Sequence, residues 1–215
     1  GSQAVGMGII LEPAALNKIA LAGGSYNGSQ WDSVIIRVTT TGILDTTFNT
    51  GGKAVFTFFN TADDVALSNS FDTNNIRIVL GGQVNTGSRL SAFLTRYRSN
   101  GTLDTSFNTG GVRTVNAGSS DDAFKSIKLD TNGNSVLAGY TYNGTNNDFL
   151  IARVLTNGAL DTAFNTTGVQ TTSISSGEDT AFGVALVSAD SIALEGFIME
   201  AISILQLQGI IPMEL

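Results

Sequence analysis

The sequence has no cysteine and no histidine, only two prolines, and just 13% charged residues, about half the roughly 25% usual for soluble domains. Without cysteine there is no disulfide, thiol nucleophile or thiolate zinc site. The same absence leaves either redox compartment open. Without histidine there is no Ser-His-Asp triad and no imidazole metal ligand. No uninterrupted apolar run approaches the roughly 18 residues of a membrane-spanning helix. The closest stretch, Gly196 to Leu215, is broken by Glu200, Gln206 and Gln208, so no membrane insertion is expected. Basic charge is scarce too: the net charge is −7 and the pI about 4.4. Both argue against nucleic acid or an anionic membrane as a partner. Gly1-Ser2-Gln3-Ala4 does not follow the charged-then-apolar plan of a signal peptide.

What fills the space is small and polar. There are 25 threonines, 20 serines, 18 asparagines and 25 glycines among 215 residues, a composition suited to strands joined by tight turns. Apolar residues make up 42%, enough to bury a core and to exclude global disorder. Low charge with much Thr and Asn points to a secreted, cell-surface or virion setting.

An internal repeat organises the chain. Gly42-Ile-Leu-Asp-Thr-Thr-Phe-Asn-Thr-Gly-Gly52 returns as Gly101-Thr-Leu-Asp-Thr-Ser-Phe-Asn-Thr-Gly-Gly111 and as Gly158-Ala-Leu-Asp-Thr-Ala-Phe-Asn-Thr-Thr-Gly168. The copies start 59 and 57 residues apart. Arg37, Arg96 and Arg153 stand five residues ahead of each copy, and Gly23, Gly82 and Gly139 a further fourteen back. Chance does not hold three anchors at constant spacing.

Each unit reads as four short strands. In the clearest copy Phe124 to Asp130 alternates apolar and polar residues, as in a half-buried strand. Asn132-Gly133 then supplies a hairpin turn. Ser135 to Thr141 is a second strand, and Asn143-Gly144 marks the next turn. Phe149 to Leu155 is a nearly all-apolar third strand, consistent with burial on both faces. Gly168 to Thr172 begins a fourth. Four-stranded units of this length, apolar on both faces, predict an all-β fold: a β-propeller of about four blades. The expected blades are approximately residues 3–60, 61–117, 118–175 and a degenerate 176–215, forming one domain.

The Gly-x-Leu-Asp-Thr-x-Phe-Asn-x-x-Gly core resembles the delta-60 repeat, a bacterial repeat of propeller type found in secreted and surface proteins. So do the Leu137-Ala-Gly139 strand end and Asp148-Phe-Leu-Ile-Ala-Arg153. The likeness covers roughly residues 9 to 197. It implies a propeller and a surface setting, and carries no shared catalytic residues. This chain has Phe-Asn where that repeat usually has Phe-Gly, and it lacks the Asp-Gly-Lys turn common there.

The fourth unit starts in pattern: Glu178-Asp-Thr-Ala-Phe182 echoes Asp121-Asp-Ala-Phe124, and Ala193-Leu-Glu-Gly196 echoes Val136-Leu-Ala-Gly139. No Leu-Asp-x-x-Phe follows. Within residues 197–215 either a strand near Ser203–Gln208 or a helix over Ile198–Leu207 fits. This stretch is read as a shortened closing blade, with an apolar edge pairing to another copy, and so a homo-oligomer, as the alternative.

Candidate chemistry rests on oxygen. The acid pairs Asp63-Asp64, Asp121-Asp122 and Glu178-Asp179 recur at the start of each unit's first strand. If that strand is innermost they ring a channel mouth, where repelling carboxylates suit Ca²⁺; as turn caps they bind nothing. Arg37, Arg96 and Arg153 precede Asp45, Asp104 and Asp161 by eight residues. A charge kept in an apolar strand needs a partner, either that aspartate or a turn carbonyl. Phe48, Phe107 and Phe164 recur as core plugs between blades. Tyr26, Trp31, Tyr140 and Tyr142 fall near equivalent hairpin tips, where they either pack locally or contact a glycan or protein ligand. Sites of catalysis break symmetry, whereas these residues keep it. The reading is a non-enzymatic binding or structural module without a cofactor. The alternatives are a Ca²⁺-dependent hydrolase with its acids at the channel mouth, and an assembly subunit using residues 197–215.

Overall fold

The computed structural model describes residues 3–13, 16–57, 63–188, 191–198 and 210–212. Within them every regular element is a strand. The first sheet joins β1 (Ala4–Leu11), β2 (Lys18–Tyr26), β3 (Trp31–Thr39) and β4 (Lys53–Phe56) in chain order. The second joins β5 (Asp64–Asp72), β6 (Arg77–Asn85), β7 (Leu90–Arg98) and β8 (Val112–Val115). The third joins β9 (Asp122–Leu129), β10 (Ser135–Tyr142), β11 (Asn147–Val154) and β12 (Val169–Thr172). The fourth sheet has three strands, β13 (Asp179–Ser188), β14 (Ser191–Ile198) and β15 (Ile210–Pro212). All neighbours are antiparallel, so each unit is a meander that needs only short turns.

The sheets stack face to face with the first strands nearest one another: β5 packs on β1, β9 on β5 and β13 on β9. β1 and β13 make no comparable packing among the described residues, so the four sheets form an open series. Three apolar layers fill the seams. Ala20, Ile35 and Phe48 meet Ile78, Leu80 and Phe93 between the first two sheets. Val79, Leu94 and Phe107 meet Phe124, Ile127 and Leu137 between the next two. Val136, Ile151 and Phe164 meet Ala181, Val184 and Ile192 at the last seam. An inner sheet is thus buried on both faces, which is why β11 reads as an almost continuous apolar run.

A β-bulge recurs in every first strand: between Gly6 and Gly8, between Ala66 and Ser68, opposite Ala138/Gly139, and between Ala181 and Gly183. It explains one repeated glycine. A Cβ on Gly23, Gly82 or Gly139 would lie 1.9, 2.1 or 1.9 Å from the carbonyl oxygen of Val5, Val65 or Ala123. The bulged strand passes too close for any side chain there.

Of the final segment, Ile210–Pro212 is a strand pairing with Ser191–Ala193. Residues 199–209 and 213–215, where the sequence admits a strand or a helix, lie outside the described residues.

Candidate functional site

The recurrent charged residues lie along the seams. Arg37 sits in β3, and its Nε donates to Asp45 Oδ2 at 2.8 Å. Its guanidinium covers the Phe48 ring, 4.6 Å from the centroid. Its Nη1 donates across the seam to the carbonyl of Ser99, in the turn that follows β7 (2.6 Å). The second sheet repeats this: Arg96 Nε donates to Asp104 Oδ2 at 2.9 Å, the guanidinium stands 4.7 Å from the centre of Phe107, and Nη1 donates to the Thr156 carbonyl of the third sheet. Arg153 pairs with Asp161 Oδ2 at 2.9 Å. The planar fork of arginine allows one side chain to bond an aspartate, cover a ring and reach a carbonyl at once.

Further cations join the first two clusters. Lys18 Nζ lies 3.5 Å from Asp45, while Arg77 and Arg98 both pair with Asp104. Burial pushes the Asp104 carboxyl up. The Ser106 hydroxyl bond and the charges of Arg96 and Arg77 pull it down further, to about 2. The Thr47 hydroxyl, with Arg37, likewise holds Asp45 at about 2. Glu12 approaches Arg37 at 3.8 Å. It is buried, and among the described residues neither carboxylate oxygen accepts a hydrogen bond. Burial raises its pKa, against the pull of Arg37.

The turn after each phenylalanine fastens the same seam. Asn49 N–H donates to the Asn100 carbonyl at 2.6 Å, and Asn108 N–H to the Asn157 carbonyl at 2.8 Å. Asn49, Asn108 and Asn165 have φ of 45°, 47° and 47°, a left-handed conformation that asparagine tolerates better than most residues. Their amides donate to the carbonyls of Lys53, Val112 and Val169. Asparagine therefore meets the backbone demand that glycine would, and adds a hydrogen bond.

The acid pairs divide their work. The first acid reaches the preceding sheet: Trp31 N–H donates to Asp63 Oδ1 (2.8 Å), Leu90 N–H to Asp121 Oδ1 (2.7 Å), and Asn147 N–H to Glu178 Oε2 (3.3 Å). The second acids, Asp64, Asp122 and Asp179, are fully buried. Asp122 Oδ2 accepts from Ala117 N–H, and Asp179 Oδ2 from Ile174 and Ser175 N–H, so each gathers the linker that enters its sheet. Burial pushes the Asp122 pKa up, against a bond from Thr141. Among the described residues no three acids converge as a metal-ligating group.

Residues 17–48, 77–107 and 131–164 each match a family model described as a domain of unknown function (DUF5122) beta-propeller. The first two matched stretches run from the start of a second strand to the phenylalanine beneath the arginine, and the third from the turn before β10 to Phe164. The chain is a β-propeller repeat protein. No curated protein matches it.

The candidate aromatics near the hairpin tips occur as two separate sets. Tyr26 and Trp31 pair across the β2–β3 hairpin tip with ring centroids 5.7 Å apart. Trp31 also covers Gly24, where an added Cβ would stand 3.1 Å from its ring. Tyr140 and Tyr142 lie in the third blade, where Lys125 Nζ stands 5.4 Å from the Tyr140 ring centre and Tyr142 is exposed. Several propeller residues escape a motif reading: Glu12, Lys18, Arg77 and Arg98 around the aspartates, and Asp72 and Asp130, whose carboxylates accept turn N–H groups. The recurrence of Lys18 and Arg77 at the unit spacing was the available signal.

Proposed function

We propose that this propeller is a non-enzymatic module of the delta-60 type, serving as a binding or scaffolding unit at a cell surface, in a secreted protein or on a virion. One observation carries the reading. The charges that recur across the units are engaged within the fold, bonding an aspartate, a turn carbonyl or a neighbouring blade's backbone. A repeated residue held this way builds seams, and ligand contacts fall to what varies on the surface. The hairpin tips bearing Tyr26, Trp31 and Tyr142 are the best such places, because flat aromatic faces suit sugar rings and protein side chains alike.

A glycan and peptide array probed with the whole chain and with Tyr142→Ala and Trp31→Ala tests this. The expected result is a ligand whose signal falls at least tenfold in one variant with the melting temperature retained. A panel of ester, lactone and glycoside substrates, with and without millimolar calcium, tests the enzymatic alternative. Calcium-dependent turnover abolished by Asp121→Asn would overturn the proposal.

A further inference from the structure

The second blade carries a surplus of positive charge that its neighbours lack. Arg77 opens β6 and stands directly opposite Arg98 at the end of β7, with Arg96 two residues earlier on the same face of β7. All three guanidiniums converge on Asp104, which is fully buried. Like charges directly opposite one another on neighbouring strands repel. Counted from the repeated glycine and the repeated arginine, the equivalent positions hold Lys18 and Thr39 in blade 1, and Asn134 and Leu155 in blade 3. Neither pair sets two cations against each other. The carboxylates differ less, since each of these units has one acid where its first strand ends and one in the Leu-Asp motif. Blade 1 sets Lys18 and Arg37 against Glu12 and Asp45, and blade 3 sets Arg153 alone against Asp130 and Asp161. Of the three, only blade 2 has more cations than carboxylates, with Asp72 and Asp104 facing three arginines.

Both carboxylates are already committed. Asp104 Oδ2 accepts from Arg77 and Arg96, and Oδ1 accepts from the Ser106 hydroxyl at 2.6 Å, which leaves Arg98 at 3.5 Å. Asp72 accepts from its own turn, through the backbone N–H groups of Asn74 and Asn75 and the Asn75 amide. Arg77 Nε is buried and has no acceptor among the described residues. The Arg98 side chain is 51% exposed. Burial holds the Arg96 pKa below its usual value against the pull of Asp104, and the neighbouring charge of Arg77 lowers it further. We infer that Arg77 and Arg98 bind the tetrahedral oxyanion of a sulfate monoester or a phosphate diester. A planar carboxylate fills one guanidinium fork, as Asp104 already does for Arg96. A tetrahedral group offers separate oxygens to two forks rising from two strands. One negative charge cancels the surplus of one. The net charge of −7 elsewhere opposes a polyanion and favours a small ester. The site lies at the opposite end of its blade from the β6–β7 hairpin, so the inference goes beyond the role proposed for the aromatic hairpin tips and stands without it.

Methyl sulfate, dimethyl phosphate and acetate, each singly charged, titrated into the whole chain test this, with the arginine Nε–H signals followed by nuclear magnetic resonance. Saturable shifts at Arg77 and Arg98 are expected with at least one of the two esters, and the tighter of them assigns the ligand. Arg98→Gln is expected to weaken binding about tenfold, the loss of one charge-assisted contact. Its melting temperature should not fall, because the substitution also removes a like-charge neighbour. Arg98→Lys keeps the charge without the fork and is expected to bind more weakly than the unaltered chain. Lys128→Gln removes the same charge from an exposed position in blade 3 and is expected to leave binding unchanged. The absence of any saturable shift would overturn the inference, and so would acetate binding as tightly as the esters. Undiminished binding in Arg98→Gln would assign that arginine to the fold alone. An equal loss in Lys128→Gln would reduce the effect to general charge attraction, and either result would sink the proposed site.

Discussion

Arg96 and Asp104 form a buried ion pair in which the guanidinium also reaches the carbonyl of Thr156 in the next blade, so a bond within one blade positions a bond between two. Removing a partner from a buried pair leaves an uncompensated charge, at about 3–5 kcal/mol. Asp104 is also shared by Arg77 and Arg98, whereas Asp161 pairs with Arg153 alone among the described ion pairs, and Arg153 is more exposed. Asp104→Asn is therefore expected to lower the melting temperature by roughly 6–20 °C, at about 2–4 °C per kcal/mol for a domain of this size. Asp161→Asn should lower it by only a few degrees. Scanning calorimetry of the two variants checks the order, and equal losses would contradict it.

The glycines opening the Leu-Asp motif share a conformation but not a neighbour. Gly42, Gly101 and Gly158 have φ of 81°, 84° and 86°. A Cβ on Gly101 would stand 2.8 Å from Asn49 Cβ, and one on Gly158 would stand 2.6 Å from Asn108 N, whereas one on Gly42 meets nothing within 4 Å. Gly42→Ala should cost about 1 kcal/mol, from the left-handed backbone alone. Gly101→Ala adds a clash across the seam and should cost at least about 2 kcal/mol. Urea unfolding of both measures the difference directly.

Acid should unfold the protein in a defined window. Asp45 and Asp104 are held at about 2 in the folded state, below the roughly 3.9 of an unfolded aspartate. Their contribution is complete above pH 4 and is lost as pH falls through about 2. A combined Asp45→Asn, Asp104→Asn variant is expected to lose the steep drop in stability between pH 4 and 2. Circular dichroism at stepped pH reads this, and an unchanged slope would assign acid unfolding to other groups.

Glu12 acts in the opposite direction. Its folded-state pKa is raised by burial, so its contribution is greatest below the unfolded value and declines as pH rises through the folded one. Burial works against its ionised form, which lacks hydrogen bonds among the described residues. Glu12→Gln is expected to raise the melting temperature by a few degrees at pH 7, about 1 kcal/mol, and to change it little at pH 4. A lower melting temperature at pH 7 would show that the pairing with Arg37 outweighs the burial.

If the acid pairs serve only as seam bonds, calorimetric titration of the chain with calcium should show no saturable heat at millimolar concentration. Asp121 already accepts the Leu90 N–H, and Asp122 holds the linker at Ala117. A saturable heat lost in Asp121→Asn would assign the pairs to a metal instead.

The repeat alone determined the strands, their order and the four-unit plan. Spacing encodes a meander whose turns need only Asn-Gly and whose faces must both be apolar. The eight-residue interval from arginine to aspartate was legible for the same reason, since both lie on one local hairpin-like return. Tertiary structure decided what is not periodic within a unit. The arginine's reach to Ser99 or Thr156, the division of each acid pair between the preceding sheet and its own linker, and Glu12 and Lys18 joining the first cluster all depend on how one blade sits on the next. Only the stacking distinguishes Ile9 from Ile127. Both occupy the same position of the same repeat, and burial is set by whether a neighbouring sheet stands there.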